Sequence, residues 1–243
     1  DMGDHYRLNG SKIWTSYGDH GDWMFCLVRT DPAAPKHRGI SFMLFDMKTP
    51  GITVRPIKLI SGKSPFCEIF FENVEIPKNQ QVGELNEGWT IAKYLLTHER
   101  EMISWAGLSR TGSKSIGETA IEQIGERDGR LDDPLLRADI ARFELDEMAF
   151  ALTIERARDE VKAGVSLGAV SSWFKFFGTE LNKQRYNLLM DIAGNEALTW
   201  AGASGSDGKL ARDWLRTKGN SIEGGTSEIQ LNIVAKHILG LAG

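Results

Sequence analysis

Cys67-Glu68-Ile69-Phe70-Phe71-Glu72-Asn73-Val74-Glu75-Ile76-Pro77 is the last of a series of short apolar runs rich in β-branched and aromatic residues. Such runs, bounded by Gly, Pro, Asn and Asp, are the punctuation of strands. Working back toward the start, strands are predicted at Ile52 to Ile57, Ile40 to Asp46 and Trp23 to Thr30, separated by Ser61-Gly62-Lys63, Thr49-Pro50-Gly51 and Asp31-Pro32. Before these, Tyr6-Arg7-Leu8 and Lys12-Ile13-Trp14 flank Asn9-Gly10, a dipeptide that predicts a hairpin because both turn positions favour positive φ. Several of the runs are apolar on both faces, which predicts a small β-barrel or sandwich partly covered by another layer.

Working forward, the period changes to helical after Gly88, and Pro134 is the one proline beyond it. Four helices are predicted. The first spans about Glu87 to Arg127, bent near Gly107 or Gly112; the second runs from Pro134, at an N1 position after Asp132-Asp133, to Lys162. The third spans about Leu167 to Ala193, and glycine-rich linkers (Gly194, then Gly202 to Gly208) separate it from a last helix starting near Thr226. The expected fold class is therefore α+β, a β-domain over residues 1–85 followed by an antiparallel four-helix bundle over residues 86–243. The start at Asp1-Met2-Gly3-Asp4 reads as a cut into an ongoing domain, since strand and turn signals follow at once.

Composition limits the function classes. With 243 residues and 41% hydrophobic content the chain can fill a sizeable core. Its formal charge of −4 comes from 29 basic and 33 acidic residues that are interspersed, so no basic stripe matches a nucleic-acid backbone. No apolar run approaches the ~20 residues of a membrane helix, and no signal peptide opens the chain. Cys26 and Cys67 lie in apolar runs, as small buried hydrophobes do, which fits a reducing, cytoplasmic setting. None of the five histidines has a partner at metal-ligand spacing, so no metal is expected.

Three constellations are able to carry chemistry. In Lys12-Ile13-Trp14-Thr15-Ser16-Tyr17-Gly18 a strand ends on an indole and three hydroxyl residues, which suits one face and one edge of a planar cofactor. A core Trp beside a polar turn has the same spacing. In Asn220-Ser221-Ile222-Glu223-Gly224-Gly225-Thr226-Ser227-Glu228-Ile229-Gln230 two glycines precede Thr226 or Ser227 as helix cap, with Ser227 and Gln230 at capping-box spacing. Free N–H groups at such a start suit an anion or a developing oxyanion, although most Gly-Gly-Thr turns merely start helices. The third, Thr97-His98-Glu99-Arg100-Glu101, lies within the first predicted helix, where a charged cluster is ordinarily solvated.

Together these stretches resemble the acyl-CoA dehydrogenase family over nearly the whole chain. Lys12-Ile13-Trp14-Thr15-Ser16 resembles its flavin-covering Lys-x-Trp-x-Thr/Ser segment, and Gly225-Thr226-Ser227-Glu228-Ile229-Gln230 its C-terminal Gly-Thr-x-x-Ile-Gln signature. Within the family the chain looks closest to bacterial pimeloyl-CoA dehydrogenase large subunits. The resemblance implies that the family's N-terminal helical domain is missing from this chain. It further implies FAD as cofactor, with Trp14, Ser16, Thr226 and Glu228 as its contacts, and an acyl-CoA thioester as substrate, with Arg100 as a substrate contact. Electron-transfer flavoprotein is the implied electron acceptor, and the implied assembly is a homodimer, a homotetramer or a heteromer with a related subunit.

Many members hold the catalytic glutamate immediately before the Gly-Thr of the signature, but this sequence has Gly224 there and Glu223 one position earlier. A second group carries the base as a Glu-Arg pair on the first long helix, which here is Glu99-Arg100. The implied reaction is α,β-dehydrogenation to an enoyl-CoA, with Glu99 as base and the Gly224 N–H as oxyanion donor. Two segments depart from the family pattern: Arg127-Asp128-Gly129-Arg130-Leu131 stands in place of Arg-x-x-Phe-Gly, and Asp191-Ile192-Ala193-Gly194-Asn195 in place of Gln-x-x-Gly-Gly. Competing readings are a flavin enzyme of the same fold with different chemistry, and a non-catalytic subunit or fragment of a heteromeric dehydrogenase.

Overall fold

The structure, a computed structural model, describes residues 1–96, 114–200 and 208–241. It is α+β and separates into two compact units, Asp1–His98 and Glu99–Gly243. Among the described residues no helix is long and apolar enough to cross a membrane.

The first unit holds β1 (His5–Ser16), β2 (Trp23–Arg29), β3 (Ile40–Asp46), β4 (Ile52–Ile57), β5 (Phe66–Pro77) and β6 (Gln81–Val82). They form two antiparallel sheets, β1-β5-β4 and β2-β3-β6. Alternate residues of both sheets meet in one core of Cys26, Met43, Phe45, Cys67, Ile69, Phe71, Val74 and Ile76. Phe45 and Phe71 meet edge to face across it, with centroids 5.8 Å apart. Both cysteines are buried and free.

The hairpin expected at Asn9-Gly10 does not form. Residues 5–16 are one strand, and both sides of the dipeptide pair with β5. Two three-residue arms offer each other only a few ladder bonds, whereas the 12-residue β5 satisfies the whole of β1. The turn residues are used otherwise: the Asn9 side-chain oxygen accepts the N–H of Asn73 at 2.8 Å, where β5 bulges and Asn73 takes φ 51°.

Helix α1 begins at residue 88, and its described part runs to residue 96. Gly88 fixes its start by close approach, because a Cβ there would lie 2.4 Å from the carbonyl carbon of Ser41 and 2.5 Å from the nitrogen of Phe42.

In the second unit the described elements are α2 (Ile116–Ile124), β7 (Glu126–Arg127), β8 (Arg130–Leu131), α3 (Pro134–Lys162), α4 (Val170–Ala193), α5 (Lys209–Thr217) and α6 (Ser227–His237). A single helix from Glu87 to Arg127 is not what the chain builds. Ser115 starts a new helix with a reciprocal capping box: its Oγ accepts from Glu118 N at 3.0 Å, and its N–H donates to Glu118 Oε2 at 2.8 Å. After Gly125 the chain turns into a short hairpin at Asp128-Gly129, whose φ of 54° and 70° are those of a tight primed turn. The bends expected at Gly107 and Gly112 lie outside the described residues.

The second helix runs as read. Pro134 follows Asp133, whose carboxylate accepts the N–H groups of Leu135 and Leu136 at 3.0 Å each. Its buried residues Leu136, Ile140, Phe143, Phe150, Ile154 and Ala157 recur at helical spacing and meet Phe174, Leu181, Leu188 and Ile192 of α4 in one core. Helix α4 packs against α2, α3, α5 and α6. Helix α5 was not foreseen, because its nine residues lie just after the stretch read as a glycine-rich linker.

Replacing Gly88 by Ala is expected to lower the stability of the first unit by about 2–4 kcal/mol, since the contacts it forces are with backbone. Chemical denaturation of the two proteins side by side measures this.

Candidate functional site

Trp14 owes its position to a mismatch between β1 and β5. Between the pairs Lys12↔Ile69 and Thr15↔Cys67 the strand β1 has one residue more than its partner, and Trp14 falls in that bulge. It takes φ 64°, a conformation that costs a bulky residue roughly 1–3 kcal/mol. The bulge turns the indole out, leaving it 58% exposed and supported edge-on by Phe66 at 6.0 Å. It is not a core tryptophan.

Ser16 ends the strand with its side chain exposed. It lines an open cleft of about 460 Å³ together with Lys12, Ile13, Thr15, Tyr17 and Trp23. Trp14 is not among the cleft's lining residues; its bulge stands beside Ile13 and Thr15, which are. Lys12 donates to the carbonyl of Leu27 at 2.9 Å and so ties β1 to β2 at the base of the cleft. An exposed aromatic face held by its backbone, next to hydroxyls at the mouth of a cleft of ligand size, fits a flat heteroaromatic group.

The other candidate residues lie in the second unit, where a 3-10 turn (Lys218–Ser221) leads into the glycines and α6. Gly224 and Gly225 have φ of 62° and 92°, and a Cβ on Gly225 would come within 2.6 Å of the Gln230 side-chain nitrogen. Ile222 and Glu223 both donate their N–H to the carbonyl of Gly219. The N–H of Gly224, next in line, has no acceptor among the described residues.

Glu223 is held on both oxygens, by Arg216 at 2.7 Å and by the side-chain amide of Asn220 at 2.6 Å. Thr226 is the cap of α6, its hydroxyl accepting from Ile229 N at 3.4 Å. Ser227 and Gln230 do not form the capping box their spacing allows. Ser227 turns back to the carbonyl of Ser221, and Gln230 donates to the carbonyl of Gly224 at 2.8 Å. Glu228 is exposed in the first turn; hydrogen bonds from its own N–H and from the Thr226 hydroxyl hold its carboxyl below the ordinary range. Glu99 and Arg100 lie outside the described residues.

One residue that bears on this loop escaped the sequence reading. Lys175, on α4, is 4% exposed, and its ammonium donates to the carbonyl of Asn220 at 2.9 Å. The signal was present, since Trp173-Phe174-Lys175-Phe176-Phe177 sets one charge among four aromatic rings. A lysine so placed must be buried with a partner or reach past the rings to water.

Residues 1–74 match the model of the acyl-CoA dehydrogenase middle domain, and residues 86–239 that of the acyl-CoA dehydrogenase C-terminal domain. The chain belongs to the acyl-CoA dehydrogenase family. Among its relatives, acyl-CoA dehydrogenase FadE34 of Mycobacterium tuberculosis is 34% identical over 237 residues, covering 97% of this chain and 31% of that protein. Acyl-CoA dehydrogenase IpdE1 of the same organism is 31% identical over 248 residues, covering 98% of this chain and 60% of the relative. The chain thus spans from about a third to three fifths of these relatives.

Similar solved structures include the Tcur3481-Tcur3483 steroid ACAD, at a TM-score of 0.87 and 28% identity over 100% of this chain and 62% of that one. The glutaryl-coenzyme A dehydrogenase glutaryl-CoA complex matches at a TM-score of 0.81 and 27% identity, over 100% of this chain and 61% of that one.

Replacing Trp14 by Gly should remove the ring while relieving the strained φ. The expected result is weaker FAD retention in the full-length protein with an apoprotein melting temperature that is unchanged or raised. Unchanged FAD retention would exclude Trp14 from the cofactor site.

Proposed function

We propose that this chain is the middle and C-terminal part of an FAD-dependent enzyme that oxidises an acyl-CoA thioester to its trans-2-enoyl-CoA. The observation that carries the reading is a Gly224 N–H without an acceptor among the described residues, next to a Glu223 carboxylate bound on both oxygens. Family membership supports it, together with the exposed indole and hydroxyls of the first unit.

The α-proton of a thioester is too weakly acidic for a carboxylate to remove unless the enolate charge is stabilised as it forms. A preorganised N–H aimed at the thioester oxygen supplies that stabilisation, and Gly224 is our assignment for it. Its left-handed φ, which glycine alone adopts at no steric cost, turns the chain that follows away from the preceding turn. Glu223 is committed to its own loop in this arrangement, with one oxygen held by Arg216 and the other by Asn220.

We assign the base to Glu99, on the sequence ground that the chain lacks a carboxylate at position 224 and has a Glu-Arg pair at 99–100. Arg100 is assigned to the substrate. In the first unit, Trp14 would cover one face of the cofactor ring and the Ser16 hydroxyl would donate at its edge. Thr226 and Glu228 are assigned to the cofactor from the second. FAD, when bound, supplies the hydride acceptor.

The finer architecture we infer is a sandwich or small barrel of the two sheets, followed by an antiparallel bundle with α4 at its centre. Electron-transfer flavoprotein is the electron acceptor we infer from the family, and the assembly is a homo-oligomer or heteromer. The heteromeric alternative is supported by relatives described as two-protein complexes, the Tcur3481-Tcur3483 ACAD and the ChsE4-ChsE5 complex of Mycobacterium tuberculosis.

In the full-length, FAD-loaded enzyme, Glu99→Gln should lower turnover by ~10²–10⁴-fold with the flavin spectrum retained. Glu223→Gln should cost about tenfold or less. Anaerobic bleaching of the flavin by acyl-CoA measures both, and the reverse ranking would overturn the assignment.

A further inference from the structure

A helical turn that continued past Glu223 would give the Gly224 N–H to the carbonyl of Asn220, four residues earlier. That carbonyl is occupied by the Lys175 ammonium at 2.9 Å. On the far side of the same loop, the Gln230 amide, 2% exposed, donates to the carbonyl of Gly224 itself at 2.8 Å. The ordinary acceptor of the Gly224 N–H is therefore engaged by an ammonium, and the next peptide, between Gly224 and Gly225, is held at its carbonyl.

We propose that Lys175 is a positioning residue for the reaction, whose buried ammonium holds the Asn220 carbonyl so that the Gly224 N–H stays free for the thioester oxygen. The proposal rests on the dehydrogenase reading above.

Three features of the site favour positioning over simple packing. A buried charge is costly, and an apolar side chain of the same length would fill the space beside Phe174 at less expense. The neighbouring cation, Lys183, bonds to side chains, Ser221 Oγ at 2.6 Å and Glu180 at 2.7 Å, and leaves the backbone carbonyls alone. Lys175 instead takes the one carbonyl that a longer helix would use. Burial draws its pKa below the usual lysine value, and Glu223 and Glu180 draw it back.

The test uses the full-length, FAD-loaded enzyme with Lys175→Met, and Lys183→Met as control. In the substrate-free wild type the Gly224 amide should exchange with solvent deuterium at an unprotected rate. In Lys175→Met it should slow by about tenfold or more as it closes on Asn220. With an acyl-CoA labelled with ¹³C at the thioester carbonyl, the wild type should lower the carbonyl stretching frequency on binding. Lys175→Met should lose most of that shift and ~10–100-fold in kcat, with KM changed less than kcat. Lys183→Met should keep the shift.

A protected Gly224 amide in the wild type would overturn the proposal without any variant, which keeps it testable should Lys175→Met fail to fold. A wild-type frequency shift that survives in Lys175→Met would sink this inference and leave the dehydrogenase reading standing. Absence of any shift in the wild type, with every acyl-CoA tried, would sink that reading too.

Discussion

The geometry of the first unit follows from a constraint on β5. It is the middle strand of its sheet and must satisfy β4 on one edge and β1 on the other. Its register with β4 is continuous from Ile52↔Phe71 to Ile57↔Phe66, so it has no freedom there. The mismatch in length falls wholly on the β1 side, as an extra residue in β5 near Asn73 and one in β1 near Trp14. Side-chain direction alternates along a strand, so each bulge restores to the core face the residues that a slip would have turned outward. Cys67, Ile69, Phe71, Val74 and Ile76 all reach the core because of it. The residue displaced in β1 is the tryptophan, and its exposure is the other side of that bargain.

Backbone accounting of the same kind governs the second unit. A helix end leaves carbonyl and N–H groups without partners, and a buried one needs side chains to complete it. Asp133 does this for α3 and Thr226 for α6. Around the 3-10 turn at Lys218–Ser221 the supply comes from α4, through Lys175 to Asn220 O, Asn182 to the Asn220 side chain and Lys183 to Ser221. The loop is thus an outgrowth of the most central helix, held by long polar side chains from a face that also carries the core.

Much of this was legible in the sequence because period and punctuation agreed. The β3, β4 and β5 boundaries and the Asp133-Pro134 start of α3 are sites where propensity, pattern and cap chemistry point the same way. The failures occur where a local signal was outbid. Asn9-Gly10 is a better hairpin dipeptide than Asp128-Gly129 by composition, yet the second makes the turn and the first does not. The difference lies in partners: β1 has β5 along its whole length, while Glu126–Arg127 has only Arg130–Leu131 within reach of the turn. Ser115 and Glu118 spell out a capping box inside a stretch whose period predicts one helix bent near Gly107 or Gly112, and the period masks the cap. Lys175 was hidden for another reason, since pattern reading assigns a charge in an apolar run to the nearest solvated face and has no means of seeing a carbonyl 45 residues away.

The strained tryptophan and the unbonded glycine amide share a physical character. Each departs from a local rule, the tryptophan at a cost of order 1–3 kcal/mol, a large fraction of what a domain of this size has to spare, and the exposed glycine amide by having no protein acceptor among the described residues. Such departures persist only when their surroundings over-determine them. At Trp14 the surroundings are a ladder fixed on both sides of the bulge, and at Gly224 they are two buried hydrogen-bonding side chains, Lys175 and Gln230, acting on successive parts of one loop. A core optimised for stability alone would place a residue of ordinary φ at position 14 and an apolar side chain at 175. The fold keeps both departures beside the residues proposed above for the site, and functional sites are where local rules are expected to give way.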